Sequence, residues 1–503
     1  MDAVVLAAGL GSRLRPLTLR QPKPCVSIGA EPILEHQLHA YATAGIEEVV
    51  VVAGYRADDV RELCASATAE HDRLTVSVVE NSQYESTDNK YSFSLAQEAT
   101  NGGGLILTNG DVVLEPEVLQ RLTESDAPNA IACDTSAYDA ESMKITVDDQ
   151  GQVEHLSKEI EQEDAYATSI DCYRFSPAFT DALFSETERR IETGTDRNWT
   201  EAAIDSLLDD FTVRPVDIAG TRWVEVDDHD DLHGADQLFS SLSALSEKQA
   251  VFFDLDGTLY LGEDLVSGAA EVVKRLREHD VAVYFLSNNS SAWRTDYAAK
   301  LGSLGIPADP EDVILSTDGV IDYLKRVDAT EVCVVGTQSM IDAIRSAGLN
   351  TDLDDATEAS HIVVGFDTEL TYEKTRRATL AIRDGAEFLL AHPDPVCPTP
   401  EGLVPDCGAI GALIKTASGE PPARTFGKPN TEMIAGVLED HDWKPEDVAI
   451  VGDRLETEIE MADRLGCESV CVLTGDATRV AVEESSVTPT LITSDVSELL
   501  GHL

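Results

Sequence analysis

Short apolar runs of β-forming residues alternate with amphipathic helical stretches along the whole chain. The runs stand at 2–7 (DAVVLA), 48–53 (EVVVVA), 104–108, 250–254, 281–286, 331–335, 361–365, 387–391, 448–451 and 469–473. Helical patterns lie between them, as at 31–44, 268–279 and 430–439. Near-continuous apolar strands are buried on both faces, and parallel neighbours need a crossover of helical length. The alternation therefore predicts an α/β architecture with mainly parallel strands. At 503 residues the chain exceeds what one core supports, so several domains are expected. The segment "LHGADQLFSSLSALSEKQ", 232–249, reads as a helix running into a polar connector. It separates a first domain, 1–235, from a second half whose core comprises 249–319 and 425–503, with 320–424 inserted as a further α/β layer.

Charge narrows the partners. Ninety-three acidic residues face 37 basic ones, a net −56, and the acids are spread over helices and turns. A distributed negative surface argues against nucleic acid and anionic membranes as partners. It suits a cytoplasm rich in salt, where the screening length falls to about 3 Å near molar concentration. No apolar run reaches membrane-span length and no basic-then-apolar leader opens the chain, so the expected location is cytoplasmic. Nine scattered cysteines without a Cys-x-x-Cys pair read as reduced thiols. Self-association into a homo-oligomer stays open.

The first strand runs straight into "LAAGLGSRLRPLT" and then "PKP". Glycines let the backbone turn sharply and let its N–H groups approach phosphate oxygens. Arg13 can grip a triphosphate with its forked guanidinium, and Lys23 sits on a segment held extended by its flanking prolines. The whole run resembles the signature of nucleotidyltransferases of the sugar-nucleotide pyrophosphorylase type, over about residues 1–232. The resemblance implies nucleotide binding by Leu6, Ala8, Gly9 and Gly11, and catalytic roles for Arg13 and Lys23. "NGDVVL" and "RWVEVDDHDDL" match its metal positions, here Asp111 and Asp227, for Mg²⁺. "NSQYESTDNKYSFSLAQ" is similar to the phosphocholine and alcohol-phosphate cytidylyltransferase branch, with Asn81, Asn89 and Ser92 at the matching positions. That branch implies CTP as donor and a small alcohol phosphate as acceptor. Lys144 and Lys158 are acceptor-side cations in this reading, and Tyr166, Tyr173, Trp199 and Trp223 are candidate walls. A sugar 1-phosphate acceptor with another nucleoside triphosphate is the alternative.

The second half opens with "VFFDLDGTLY", a strand ending in two aspartates one residue apart. A carboxylate is a nucleophile at neutral pH without losing a proton, provided a cation offsets its charge and the phosphate's. Asp254 is placed to attack phosphorus, and Asp256 to protonate the leaving oxygen and then activate water. "FLSNNSS" supplies Ser287 and Asn288 for phosphate, "FGKPN" supplies Lys428, and "GDRLETEI" supplies Asp453 for Mg²⁺ beside Asp254 and Asp256. The ordered set resembles the haloacid dehalogenase superfamily, in its p-nitrophenylphosphatase and phosphoglycolate/glycerol-phosphate phosphatase branch, over 249–503. The implied fold is a Rossmann-like core with an inserted α/β cap. The cap loop "AHPDPVCPTPEGLVPDCG" offers His392 and Asp394 as specificity candidates. Glu458 stands where the branch usually has a second aspartate, and His392 where it usually has asparagine, so metal geometry and specificity are expected to be retuned. The expected whole is a bifunctional Mg²⁺ enzyme acting on a nucleoside triphosphate and a small phosphorylated alcohol or sugar. The alternative keeps one half only as a binding or regulatory module.

Overall fold

A computed structural model describes residues 1–29, 31–71, 73–194, 199–353, 358–399 and 402–503. Residues 400 and 401 of the cap loop lie outside the described residues. The chain divides into two units, Met1–Ser240 and Ser241–Leu503.

In the first unit the strand Asp2–Ala7 is wholly buried and lies between Glu48–Ala53 and Leu105–Asn109, parallel to both; Thr75–Glu80 extends the sheet beyond Glu48–Ala53. Valine dominates these strands because a β-branched side chain packs well on a pleated surface covered on both faces. The other side of the sheet departs from the parallel expectation. The long strand Ala167–Phe175 runs antiparallel to Leu105–Asn109, Ala130–Asp134 and Lys144–Val147. Hairpin pairing of Lys144–Val147 with Val153–Ser157 closes that side. The ladder between Ala167–Phe175 and Ala130–Asp134 slips between Ser169 and Tyr173, and Asp171 there takes a left-handed backbone, φ 53°. A bulge of this kind re-aims a side chain, and it turns the Asp171 carboxylate toward the cleft described below.

The second unit holds a six-stranded, all-parallel sheet in the order Val313–Leu315, Ala282–Ser287, Ala250–Asp254, Val448–Gly452, Glu468–Val472, Leu491–Thr493. Phe252, Phe253 and Phe285 are fully buried in it. A second parallel sheet, Val332–Val335, His361–Val364, Glu387–Leu390 and Arg424–Thr425, has its own apolar core built on Ile362, Val363 and Leu389. The hairpin Val396–Thr399 with Gly402–Pro405 belongs to the same insertion. Burial raises the pKa of several of the nine cysteine thiols, Cys64 and Cys172 among them, to about 12. Among the described residues no helix is long and apolar enough to cross a membrane.

If every cation paired with one acid, 56 acids would still lack a positive partner. Exposed pairs such as Arg61–Asp58 and Arg345–Asp342 offset little of this, since solvent-exposed ion pairs contribute about 0–1 kcal/mol. The thermal midpoint followed by circular dichroism is therefore expected to rise by roughly 10 °C or more between about 0.2 M and about 3 M KCl. A flat response would show that charge repulsion does not limit stability.

Candidate active sites

In the first unit the loop after Asp2–Ala7 borders a cleft of about 380 Å³ at the carboxyl ends of the parallel strands. Two glycines let this loop sit low. A Cβ at Gly54 would lie 2.6 Å from the Ala8 carbonyl oxygen, and one at Gly110 would lie 2.8 Å from that of Leu6. Leu6, Ala8, Gly9, Arg13 and Lys23 line the cleft, as do Asn81, Asn89 and Ser92. Gly11 is set back from its wall; φ is 57°, and a Cβ there would stand 2.9 Å from that of Lys23. Asn81 donates to Ser92 Oγ (3.1 Å) and Thr87 Oγ1 (3.0 Å), and Asn89 Oδ1 accepts from the Thr200 N–H (2.9 Å).

Asp111 and Asp227 are 116 residues apart in sequence, and one antiparallel pairing brings them together. Val112–Leu114 pairs with Trp223–Glu225, and Val226 N–H donates to the Asp111 carbonyl (2.9 Å). Lys23 Nζ then sits 2.9 Å from Asp111 Oδ2 and 2.9 Å from Asp227 Oδ1, and Arg13 reaches Asp227 Oδ2 at 2.6 Å. Burial works against the Lys23 charge, but the two carboxylates outweigh it and raise its pKa. Burial likewise pushes Asp227 up, but Lys23 and Arg13 together hold it below the ordinary carboxylate value. The neighbouring acids of "DDHDDL" have structural work: Asp228 caps the helix His229–Phe239, and Asp231 closes its capping box.

Four further carboxylates line this cleft that motif reading did not single out: Asp88, Asp171, Glu201 and Glu225. Burial, reinforced by neighbouring carboxylates, pushes Asp171 and Glu225 up to about 8, and raises Glu201 as well. Asp111, Glu225 and Asp227 present carboxylate oxygens within 4.8 Å of one another, and Asp111 Oδ1 is buried without a hydrogen-bond partner. A hard cation that takes oxygen ligands fits this donor set. Of the remaining residues expected here, Lys158 lines the cleft with Nζ 4.9 Å from the Trp199 ring centre. Lys144 turns away, buried, and donates to the Ala140 carbonyl (2.8 Å). Tyr173 is core, its hydroxyl donating to Asp171 Oδ1 (2.8 Å); Trp223 donates to Asp134 Oδ2 (2.9 Å); Tyr166 is exposed. Of the four aromatics, only Trp199 lines the cleft.

The second cleft, about 250 Å³, opens where Ala250–Asp254, Ala282–Ser287 and Val448–Gly452 end. It is lined by Asp254, Asp256, Ser287, Asn288, Lys428 and Asp453, and also by Asp394 and Glu458. Lys428, almost completely buried, makes close ion pairs with Asp254 and Glu458, the latter at 2.5 Å. Burial opposes its charge and the two carboxylates override that, raising its pKa. Burial also raises Asp254, against the pull of Lys428 and with the push of Glu458 and Asp453. Asp256 is raised chiefly by burial, opposed by Lys300 and Arg454. Asn288 fixes Lys428 from both sides, accepting from its N–H (2.7 Å) and donating to its carbonyl (3.1 Å).

Asp453 lies in a cradle made by missing side chains. A Cβ at Gly257 or Gly475 would overlap its carboxylate. One oxygen accepts from Asp476 N–H (2.8 Å), and Oδ1 is buried without a partner. Burial and the Glu458 charge push Asp453 up to about 6. A partnerless carboxylate oxygen beside Asp254 in an acid-rich pocket fits a divalent cation. Glu458 does not crowd that position. The turn Leu455–Ile459 is a π-helix, a wider coil that recurs at functional sites. Within it Glu458 Oε1 meets Lys428, and Oε2 accepts from Thr457 Oγ1 (2.7 Å) and Arg454 N–H (3.3 Å). A Cβ at Gly452 would overlap the Glu458 side chain, so the longer acid is housed where glycine leaves room. His392 is fully buried behind the cleft wall, between Asp394 and Asp406. Asp406 also lines the cleft; it lies in the quoted cap loop but was not singled out there.

Gly475→Ala pushes a methyl into Asp453, so divalent-cation binding at the second cleft, measured by titration calorimetry, should weaken by about 10-fold or more; unchanged affinity would refute the cradle. Native Glu225 keeps its proton up to about pH 8, where an unfolded glutamate loses it near about 4. The folded state thus binds more protons across that window, and its stability falls as pH rises through it. In chelator, Glu225→Gln should flatten the fall in thermal midpoint from pH 6 to pH 9; an unaltered slope would show that Glu225 does not contribute to it.

Comparison with known proteins finds a family match in each half. Residues 2–238 match the nucleotidyl transferase family model. Residues 251–350 match a haloacid dehalogenase-like hydrolase model, and 425–499 a HAD-hydrolase-like one. An acid sugar phosphatase of Staphylococcus saprophyticus is 31% identical over 256 residues, 51% of this chain and 98% of that protein. One from Staphylococcus haemolyticus is 32% identical over 252 residues, covering 50% and 94%. A solved 4-nitrophenylphosphatase from Thermotoga maritima is 31% identical over 52% of this chain and 99% of its own, with a TM-score of 0.49. The chain belongs, through its second half, to the haloacid dehalogenase-like phosphatases, and it carries a nucleotidyl transferase domain in the same polypeptide.

Proposed function

We propose that the first cleft transfers a nucleotidyl group, CMP from CTP, to a small alcohol phosphate, and that the second hydrolyses a phosphomonoester through an aspartyl-phosphate. The observation that carries the pair is the same in each: a buried lysine between two carboxylates at the carboxyl ends of parallel strands, next to an acid oxygen with no partner. The chemistry Mg²⁺ supplies when held by Asp111 and Asp227, or by Asp254, Asp256 and Asp453, is neutralisation of phosphate charge.

In the first cleft the acceptor's phosphate oxygen attacks the α-phosphorus in line, and pyrophosphate leaves. Little covalent work falls to the protein, so positioning and charge carry the rate. Lys23 offers its N–H donors to the α-phosphate, and Arg13 grips the outer phosphates. Asn81, Asn89 and Ser92 present amide and hydroxyl groups to the base and sugar, and Lys158 faces the acceptor phosphate.

In the second cleft an Asp254 oxygen attacks phosphorus, and the bond to the leaving oxygen breaks. Asp256, raised by burial, hands its proton to that oxygen. It then takes a proton from the water that attacks the aspartyl-phosphate, releasing phosphate and restoring Asp254. Ser287 and Asn288 hold the phosphate, and Lys428 offsets its charge. That two curated relatives are acid sugar phosphatases supports a small polyol or sugar phosphate as substrate here.

Single variants separate the reactions. Asp111→Ala should lower pyrophosphate release from CTP and an alcohol phosphate by at least about 10²-fold while p-nitrophenyl phosphate hydrolysis continues; Asp254→Asn should do the reverse. Loss of both activities in either variant would sink the two-site reading. In a panel of nucleoside triphosphates, faster turnover of UTP or dTTP with a hexose 1-phosphate would replace CTP and the alcohol acceptor.

A further inference from the structure

We infer that Asn288 is a positioning residue of the second cleft: its side-chain amide ties Lys428 to Asp394 and so sets where the lysine's charge meets the phosphate. This rests on the phosphatase reading and narrows what Asn288 does in it, leaving any contact with the phosphate to its main chain.

The loop after Ala282–Ser287 joins the two parallel sheets of the second unit. Each of the four strands of the second sheet hands a residue to that loop from its carboxyl end. Thr337, past Val332–Val335, donates from Oγ1 to the Ser291 carbonyl (2.7 Å). Phe366, past His361–Val364, donates its N–H to Oγ of the fully buried Ser290 (2.7 Å). Asp394, past Glu387–Leu390, accepts from Asn288 Nδ2 at 3.1 and 3.3 Å. Lys428, past Arg424–Thr425, donates its N–H to Asn288 Oδ1 (2.7 Å), and its carbonyl accepts from Nδ2 (3.1 Å).

A carboxamide has two N–H donors and one acceptor oxygen. Asn288 uses its donors on the Asp394 carboxylate and the Lys428 carbonyl, and its oxygen on the Lys428 N–H. The Lys428 backbone also fixes which way the amide faces, since its N–H can only donate and its carbonyl can only accept. The side chain therefore has no donor left for an anion, and the residue is only 6% exposed. Gly427 leaves it room: φ is 74°, and a Cβ there would stand 2.5 Å from Asn288 Oδ1 and 2.9 Å from the Cβ of His392. Phe426 N–H donates to the Leu390 carbonyl (2.9 Å), which closes a ring through Leu390, Asp394, Asn288, Lys428 and Phe426. The ring fixes the backbone from which Lys428 reaches Asp254 and Glu458. With the ring opened, Lys428 keeps its charge and loses its fixed place.

The test measures kcat for p-nitrophenyl phosphate in magnesium and high salt, with inhibition constants for inorganic phosphate and for orthovanadate, which mimics the five-coordinate transition state. Asn288→Ala should lower kcat by about 10²-fold. It should weaken orthovanadate about 10-fold more than phosphate, because a misplaced lysine matters most where charge is being transferred. Misfolding reduces the active fraction and leaves the ratio of the two constants unchanged. Asp394→Ala should lower kcat by about 10-fold, and Asp394→Asn, whose amide oxygen still accepts from Nδ2, should recover part of that loss. Added to Asn288→Ala, Asp394→Ala should lower kcat by less than about 2-fold further, since it acts through the amide. An unchanged ratio in Asn288→Ala would overturn the inference, whether the amide ligates phosphate directly or only supports the fold, and so would losses that simply add in the double variant. Failure of wild type to hydrolyse p-nitrophenyl phosphate would overturn the phosphatase reading itself, and this inference with it.

Discussion

A buried ammonium held between two carboxylates is the interaction on which both halves of this chain depend. Lys23 bridges Asp111 and Asp227; Lys428 bridges Asp254 and Glu458. Such an arrangement adds little net stability, because desolvating three charges costs about as much as their attraction returns. Its value is positional. Removing any member would leave an uncompensated buried charge, at a cost of roughly 3–5 kcal/mol. The surrounding backbone is therefore constrained to keep all three, and the glycines that admit them, Gly11 beside Lys23 and Gly452 beside Glu458, follow from that constraint. A phosphate entering either cleft meets a lysine already fixed in place, so little ordering cost remains at the moment of reaction.

Parallel strands account for much of what is legible in the sequence. In such a sheet every strand ends on the same edge, so motif residues that close apolar runs must converge. Asp254, Ser287 and Asp453 do so in the second unit, at the ends of three adjacent strands. Leu6 and Asp111 do so in the first. The antiparallel side of the first sheet is not legible, because Lys144–Val147 and Val153–Ser157 are short and interrupted by polar residues. Its sharpest feature, the left-handed Asp171 in a bulge, depends on pairing register with distant strands, which no local pattern encodes. The acids of the first cleft are hidden for another reason. Glu201 and Glu225 are two among 93 acidic residues, and only burial sets them apart.

Glu458 shows how a deviation visible in sequence can have its explanation elsewhere. Its extra methylene threatens the geometry that a cation at Asp453 would require. The longer acid instead turns to Lys428, carried by the π-helical turn Leu455–Ile459, and its bulk is absorbed at Gly452. Asp453 keeps a partnerless oxygen of its own.

Among the described residues, each apolar cluster draws its members from a single unit. Each half is built around apolar cores of its own. What the covalent link imposes is stoichiometry. Every ribosome that completes this chain releases one transferase and one phosphatase, and no change in transcription or translation can alter that ratio. Any rebalancing of the two reactions has to act on the finished chain.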